Sequence, residues 1–276
     1  MNRLSLNQKT VNGCSLPEAV VACTRAGITS IGVWREPLHD LGVAAGAALV
    51  ADAGLHVSSL CRGGFFTAHD RAEVLADNRR AIDETAALDA DCLVLVVGGL
   101  PLGSCDLPAA RARVADVLAE LAPYAADHGV RLALEPMHPI YCADRGVLST
   151  LAQALDLADP YDPTVVGVVV DTFHVWWDPD LERQIARAAD RIASFQVCDW
   201  ITPLPADTLL ARGMMGDGHI DFRHIASLVA KAGYTGAVEV EIFNADVWRD
   251  DPDTVAATVV ERFAEHVLRP EPVMGG

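Results

Sequence analysis

The stretch TVVGVVVDTFHVWW (residues 164–177) joins an apolar run to a polar end and indicates how the rest of the chain is arranged. Its first half is rich in β-branched residues, which is typical of a strand buried on both faces. The run stops at Asp171, and His174 follows three residues later. A carboxylate at the end of a buried strand is costly to desolvate unless a cation or hydrogen bonds meet it. Asp171 therefore either caps the next helix or belongs to a polar site.

Three further hydrophobic segments end in the same way, which favours the polar site. RLALE ends at Glu135, IASFQ ends at Gln196, and GAVEVE ends at Glu241. Four strands that each deliver an oxygen donor predict one metal site formed by these three residues and Asp171. In VEVEIF, period-two alternation places Glu239 on the same face as Glu241. We expect Glu239 to support the site by hydrogen bonding, with ligation as the alternative.

Predicted strands and helices alternate along the whole chain. Four short strands at about 4–6, 30–34, 56–60 and 92–97 precede the four with polar ends. Helices are predicted over 16–26, 40–53, 71–88, 108–128 and 252–267, and after N-caps at Ser149, Asp178 and Asp221. Helices end at a glycine just before a strand, as in short αβ loops, at positions 27, 54, 129 and 233.

Eight such units with buried strands predict an α/β fold, a parallel sheet closed into a (β/α)8 TIM barrel. We predict a single domain over 1–276, with 268–276 as a surface tail. A doubly wound open sheet is the alternative, but no GxGxxG motif follows an early strand.

The composition limits the compartment and the partners. Seven cysteines form no CxxC pair, and the N-terminus lacks the apolar core of a secretory signal, so we expect a cytoplasmic protein with reduced thiols. No apolar stretch is long enough to predict a membrane span. A formal net charge of −17 argues against a nucleic-acid partner and suits an enzyme that holds a small molecule through a metal cation.

The predicted C-terminal strand ends, where TIM barrels place their chemistry, also carry aromatic and basic residues. Trp34 and Trp176 are candidates for the wall of a sugar-binding pocket, with core packing as the alternative. Arg35 and Arg62 are candidates for contact with a phosphate or carboxylate, with a solvated loop position as the alternative. Asp199 is predicted to orient a metal ligand by hydrogen bonding.

Five motifs in order resemble the sugar phosphate isomerase/epimerase superfamily, whose barrel is xylose-isomerase-like. They cover most of the chain and are LALEPMHP, VVDTFHVWW, FQVCDW, GMMGDGHIDF and GYTGAVEVEIF. The superfamily includes D-tagatose 3-epimerase, hydroxypyruvate isomerase, inosose isomerases and dehydratases and, more distantly, endonuclease IV. The resemblance implies a metal-dependent isomerase or epimerase of a keto-sugar or keto-cyclitol that acts through an enediolate.

The resemblance also implies roles for individual residues. The metal would be held by Glu135, Asp171, Gln196 and Glu241, and the two glutamates would also transfer protons. His174 and Arg212 match substrate-binding positions. His138 is a further substrate-binding candidate, because the His138-Pro139 pair resembles that of members acting on keto-sugars or keto-cyclitols other than free ketoses. A lyase, a dehydratase or a C-glycoside deglycosidase subunit would use the same chemistry. We expect a homo-oligomer, with a heterologous partner subunit as the alternative.

Two positions depart from the family pattern. Gln196 stands where the family usually has histidine, so the ligand set contains only oxygen. This set favours Mn²⁺, with Mg²⁺ or Co²⁺ as alternatives, and disfavours Zn²⁺; replacement of Gln196 by water in the ligand shell is the other possibility. Tyr141 stands where ketose 3-epimerases of the family carry a carboxylate, which argues against a free ketose substrate.

Two other classes of function remain as alternatives. Asp217 and His219 would be ligands of a second metal in an endonuclease IV-like nuclease, but the other ligands of a trinuclear site are not evident. A non-catalytic sugar-binding barrel would be expected to lose its metal ligands, whereas three carboxylates are present here.

Overall fold

Eight parallel strands close into a barrel in the computed structural model, which describes residues 3–268. The strands follow one another around the barrel in chain order, and the eighth pairs with the first. Their bounds are Leu4–Asn7, Ser30–Trp34, His56–Gly64, Leu93–Val96, Leu132–Leu134, Val166–Asp171, Ile192–Val197 and Val238–Val240. The predicted (β/α)8 barrel is confirmed.

Helices follow the strands and form the outer layer. Their bounds are Leu16–Ala26, Arg35–Leu41, Val43–Asp52, Arg71–Ala87, Leu107–Asp127, Leu151–Ala158, Thr172–Val175, Leu181–Ala188, Phe222–Lys231 and Pro252–His266. No helix of residues 3–268 is long and apolar enough to cross a membrane. From residue 269 onward, the predicted surface tail lies outside the described residues.

Three predicted helix starts differ from the structure. The helix expected over 40–53 is two helices, because Gly42 adopts a φ of +93° between them. Thr150, not Ser149, is an N-cap, since its side chain accepts the hydrogen bond from the Gln153 N–H. Asp178 accepts a hydrogen bond from the Asp180 N–H in a preceding turn, and the next helix begins only at Leu181.

Other helix ends agree with the sequence patterns. Asp221 caps the helix that follows it by accepting a hydrogen bond from the His224 N–H. Gly27 ends the first helix at a φ of +71°, and its N–H donates to carbonyl groups of the last turn. The same left-handed backbone occurs at the other three predicted helix-ending glycines, 54, 129 and 233.

Alternate residues of the strands pack in two separate clusters. Leu93 and Leu95 belong to the large cluster that includes the helices, whereas Val94 belongs to a small cluster with Ala133 and Val169. Because alternate strand residues face opposite sides of a sheet, the small cluster lies inside the barrel. Small side chains there leave room for buried polar groups along the axis, which include Ser5, Asn7, Ser58, Ser59 and Glu239.

Candidate active site

The four predicted metal ligands lie at the C-terminal ends of four neighbouring strands. Glu135 follows the fifth strand, Asp171 ends the sixth, Gln196 lies near the end of the seventh, and Glu241 follows the eighth. All four are buried, with 1–5% of their surface exposed. Asp171 is directly opposite Gln196 in the strand pairing. The arrangement brings three carboxylates and one amide to one end of the barrel.

Arg212 lies between two of these carboxylates. Its Nη1 donates to Oδ2 of Asp171 at 3.0 Å and to Oε2 of Glu241 at 2.9 Å. The side chain is 2% exposed, and these carboxylates raise its pKa although burial alone would lower it. The sequence predicted a substrate contact for Arg212. The structure shows that its guanidinium also pairs with candidate ligands.

His174 is held beside the same carboxylates. Its Nδ1 accepts a hydrogen bond from the backbone N–H of His138 at 3.1 Å. Its Nε2 lies 3.6 Å from both Oε1 of Glu135 and Oδ2 of Asp171, and 3.1 Å from Nη2 of Arg212. Burial and the Arg212 charge hold its pKa well below the usual value for histidine. His174 is therefore neutral at pH 7.

The pKa values of the carboxyl groups of the site are raised, chiefly by burial. Burial raises the pKa of Glu241 to about 7, although Arg212 acts in the opposite direction. Burial, with the charges of Glu241 and Asp171, raises the pKa of Glu135 well above its ordinary value. Groups that titrate near the working pH are suited to accept and return protons.

The contacts of Gln196 show whether the four candidate ligands fit a metal ion. Nε2 of Gln196 donates to Oε1 of Glu239 at 3.3 Å. Glu239 also accepts hydrogen bonds from Asn7, Ser58 and Ser59. Oε1 of Gln196 is buried and has no hydrogen-bond partner within residues 3–268. An orphaned amide oxygen near three carboxylates is a donor set that fits a divalent cation.

Asp199 has a different role from the predicted one. Its carboxylate accepts hydrogen bonds from the backbone N–H groups of Gly216, Gly218, His219 and Ile220, at 2.8–3.0 Å. Within the described chain it makes no hydrogen bond to a candidate ligand. Asp199 therefore holds the loop that follows Arg212 and does not orient a metal ligand.

A cavity of about 190 Å³ opens beside the candidate ligands. Its lining includes three predicted site residues besides the two glutamates, namely Trp34, Arg62 and Arg212. Phe65 also lines the cavity, and residues that the sequence analysis missed complete the wall: Lys9, Glu36, Cys61, Val94, Val96, Met137, Arg145, Leu209 and Phe243. Lys9 follows the end of the first strand, a position that barrel geometry alone would have marked as a candidate.

Other predicted residues do not line this cavity. Trp176 packs against Trp200 with ring centroids 5.9 Å apart, so it belongs to an aromatic cluster behind the site. His138 packs on the same indole at 4.7 Å. Arg35 is bound by Glu84 at 2.6 Å and by Asp77 at 3.1 Å, away from the cavity.

Asp217 and His219, the candidate ligands of a second metal, are bound to other side chains. His219 Nε2 lies 2.9 Å from Oγ1 of Thr202, and Asp217 forms an ion pair with Arg262. Over residues 3–268, the acidic, histidine and cysteine side chains converge in one group of potential ligands, which consists of Glu135, Asp171 and His174.

Comparison with known proteins identifies the family. The family described as the xylose isomerase-like TIM barrel matches residues 20–266. The chain belongs to this family. A Sinorhizobium meliloti 1021 protein of known crystal structure is 48% identical in sequence to this chain. The two structures superpose with a TM-score of 0.93, over 96% of this chain and 98% of that one. The resemblance inferred from the five motifs is confirmed.

A further relative carries a functional name, and a solved structure of the same fold contains a metal. A 3-dehydroshikimate dehydratase of Pseudomonas aeruginosa is 28% identical over 277 residues, which is 94% of this chain and 42% of that protein. The chain thus spans less than half the length of that relative. The IolI protein, solved with a zinc atom, has a TM-score of 0.83 at 21% identity, over 96% of this chain and 98% of that one, and shows the shared fold.

Proposed function

We propose that this protein is a divalent-metal-dependent enzyme that removes a proton from the carbon next to the carbonyl of a keto-sugar or keto-cyclitol. The reaction would be an isomerisation or an epimerisation. The observation that carries the proposal is the pair Glu135 and Glu241. Both carboxyl groups are buried, line the same cavity and have raised pKa values.

In the proposed reaction the two glutamates would transfer protons on different sides of the substrate. They follow the fifth and eighth strands, which are separated by two strands in the closed barrel. One carboxylate would take the proton from one face, and the other carboxyl would supply a proton. Return to the same carbon from the other face epimerises, whereas return to the neighbouring carbon isomerises.

The proposed metal site uses Glu135, Asp171, Gln196 and Glu241. A cation bound there would supply Lewis-acid polarisation of the carbonyl and adjacent hydroxyl oxygens. The oxygen-only ligand set supports Mn²⁺, or Mg²⁺ or Co²⁺, more than Zn²⁺. The zinc atom in the structure of IolI supports a divalent site in this fold and makes the identity of the metal a point to measure.

His174 and Arg212 would position the substrate. The imidazole of His174 is neutral and receives the His138 N–H at Nδ1, and its Nε2 faces Nη2 of Arg212, which can only donate. Arg212 lines the cavity and would donate to a substrate oxygen, while His174 holds its guanidinium in place. Fixed donors of this kind accelerate a reaction mainly by holding the reacting carbon in place.

A dehydratase is the second candidate. The 3-dehydroshikimate dehydratase relative aligns with 94% of this chain, which supports it. The same initial proton removal, followed by expulsion of a β-hydroxyl group, would give an unsaturated ketone and water. A deglycosidase subunit would expel a different group.

A cytoplasmic location and a homo-oligomeric or partnered assembly stay predictions.

The test is proton exchange in D₂O, followed by NMR, with Mn²⁺-loaded protein and a panel of ketoses, keto-inositols, 3-keto-glucosides and 3-dehydroshikimate. We expect exchange of an α-proton in at least one compound. Glu135→Gln and Glu241→Gln should each lower turnover by about 10²–10⁴-fold, as is typical for general acid–base groups.

Glu36→Gln is the matched control, because Glu36 lines the same cavity but is exposed and follows the second strand. Its turnover should stay close to wild type. Metal content should be measured for every variant, since loss of metal alone would also lower turnover. Wild-type protein that binds metal but exchanges no α-proton in the panel would contradict the proposal.

A further inference from the structure

Besides Arg212, three basic side chains line the active-site cavity of a chain whose formal net charge is −17. They are Lys9, Arg62 and Arg145, and each is half-buried. Partial burial of positive charge costs free energy unless an anion or a ring face compensates it. What compensates these three groups therefore bears on what the cavity binds.

Two of the cations lie near one indole ring. Nζ of Lys9 lies 4.6 Å from the centroid of Trp34, and Cζ of Arg62 lies 5.7 Å from the same centroid. The Arg62 guanidinium also lies 4.4 Å from the ring of Phe65. Trp34 is fixed because its Nε1 donates to Asn7 at 2.8 Å. Cation–π contacts thus hold both charges beside the cavity.

Neither of these cations has a carboxylate partner. Over residues 3–268, no ion pair involves Lys9 or Arg62, and Lys9 Nζ donates only to the side-chain oxygen of Asn12. Arg35, also at the end of a strand, is by contrast bound by two carboxylates. The fold therefore holds the Arg62 guanidinium in place, but no carboxylate of the described residues forms an ion pair with it.

The carboxylates of the cavity are committed elsewhere or exposed. Glu241 pairs with Arg212, and Glu135 lies beside the neutral His174, so four basic side chains (Lys9, Arg62, Arg145 and Arg212) face three carboxylates in the lining. Glu36 is exposed, so solvent screens its charge. Arg145 lies 3.7 Å from Asp144, whose side chain is 63% exposed. The interior of the cavity thus keeps an excess of positive charge.

We infer that the substrate carries an anionic group, a carboxylate or a phosphate, that contacts Lys9 and Arg62 and lies away from the reacting carbon. This inference rests on the proposed function only in taking the cavity as the substrate site. A guanidinium and an ammonium beside one indole can form charge-assisted hydrogen bonds to such a group. Neutral ketoses would leave both cations without an anionic partner.

The test compares matched pairs of probes that differ in charge. Binding of 3,4-dihydroxybenzoate and of 3,4-dihydroxybenzamide to Mn²⁺-loaded protein is measured by calorimetry, and D-fructose 6-phosphate is compared with D-fructose. We expect the anion of at least one pair to bind about tenfold more tightly, the value of one charged hydrogen bond. A preference in the first pair identifies a carboxylate, and a preference in the second identifies a phosphate.

Variants connect any preference to the named residues. Arg62→Gln and Lys9→Gln should each bring the two affinities of the preferred pair closer together. Arg183→Gln is the control, since that side chain is 73% exposed on an outer helix, and it should leave the preference unchanged. Melting temperatures show whether each variant is folded.

The outcome is independent of the proton-exchange test. Equal affinities within both pairs, or a preference that persists in both Arg62→Gln and Lys9→Gln, would overturn the inference even if neutral ketoses exchanged protons. A charge preference that depends on these residues would support it even if no compound in the panel exchanged.

Discussion

Gln196 donates its amide hydrogen to Glu239 from the neighbouring strand, with Nε2 and Oε1 3.3 Å apart. Glu239 is itself fixed as an acceptor by Asn7 and the serines of the third strand. The amide nitrogen of Gln196 must therefore face Glu239, and the other end of the amide is its carbonyl oxygen. This oxygen has no hydrogen-bond partner in the described part of the chain.

Gln196→His is expected to move metal preference towards zinc. An imidazole nitrogen is a softer donor than an amide oxygen, and zinc accepts nitrogen ligands more readily than Mn²⁺ or Mg²⁺ does. The measurement is the ratio of zinc to manganese affinity for wild type and variant. Elemental analysis of wild type purified without added metal is the companion experiment, and stoichiometric zinc there would contradict the oxygen-ligand argument.

Glu239→Gln is expected to weaken Mn²⁺ binding by about 10–100-fold, the usual cost of losing a group that orients a ligand. The new amide can present a hydrogen to Gln196 and so remove the reason for its orientation. Ser5→Ala is the control, because Ser5 contacts Ser58 at 2.7 Å but not Glu239. Equal manganese affinity in wild type and Glu239→Gln would show that Gln196 does not depend on this contact.

The barrel and the positions of the four candidate ligands were predictable because each strand is a short apolar run with a polar end. The inward direction of Glu239 followed from period two alone. Such signals are local, since they depend on neighbours along one strand. The extra helix Arg35–Leu41 has no comparable signal in the sequence. It ends at Gly42 because that residue adopts a positive φ, which is visible only in the structure.

The contacts of Asp199, Arg212 and Trp176 were not predictable for a different reason. Asp199 binds amide groups 17–21 residues away, and Arg212 returns from a loop to reach Asp171. Neither pairing has a periodicity, so nothing in the spacing distinguishes a loop anchor from a group that orients a ligand. Trp176 follows a strand end, but the turn of its short helix directs it to Trp200.

The metal-free protein should lose stability as the pH rises from about 4.5 to about 7. The pKa of Glu241 is raised from 4.5 to about 7 in the folded state, so the folded state binds the proton more tightly than the unfolded chain. The free energy of unfolding is greatest below the pKa of this carboxyl group in the unfolded chain. It falls as the pH rises, until the pH exceeds the pKa in the folded protein. The drop from this group is at most about 3–4 kcal/mol for this rise in pKa from 4.5 to about 7.

Urea unfolding of metal-free wild type and Glu241→Gln at pH 5 and pH 8 measures this contribution. The variant should show the smaller loss of unfolding free energy between the two pH values. Glu261→Gln, on the exposed side of the last helix, should behave as wild type. A variant with the full wild-type loss would assign the pH dependence to other groups.

Asp199→Asn should destabilise the loop after Arg212. The carboxylate accepts four loop N–H groups, and an amide replaces one of its acceptor oxygens with a donor. Loss of one hydrogen bond to a charged group costs about 1.5–3 kcal/mol. Asp217→Asn in the same loop is the control because Asp217 is partly exposed. Hydrogen exchange over residues 214–220 should accelerate in Asp199→Asn alone.

His174 is placed near the candidate ligands, yet its hydrogen bonding argues against metal binding. Nδ1 already accepts the His138 N–H and Nε2 lies 3.1 Å from Nη2 of Arg212, so both ring nitrogens face donors and metal ligation through Nε2 would displace Arg212. We therefore expect His174→Gln to keep the Mn²⁺ affinity of wild type while kcat/KM falls by roughly tenfold, the value of one hydrogen bond to a charged group. Calorimetric titration with Mn²⁺ and steady-state kinetics provide the two readings. A large loss of Mn²⁺ affinity in folded His174→Gln would instead make His174 a ligand beside Glu135 and Asp171, the trio whose donor atoms lie within 4.8 Å of one another.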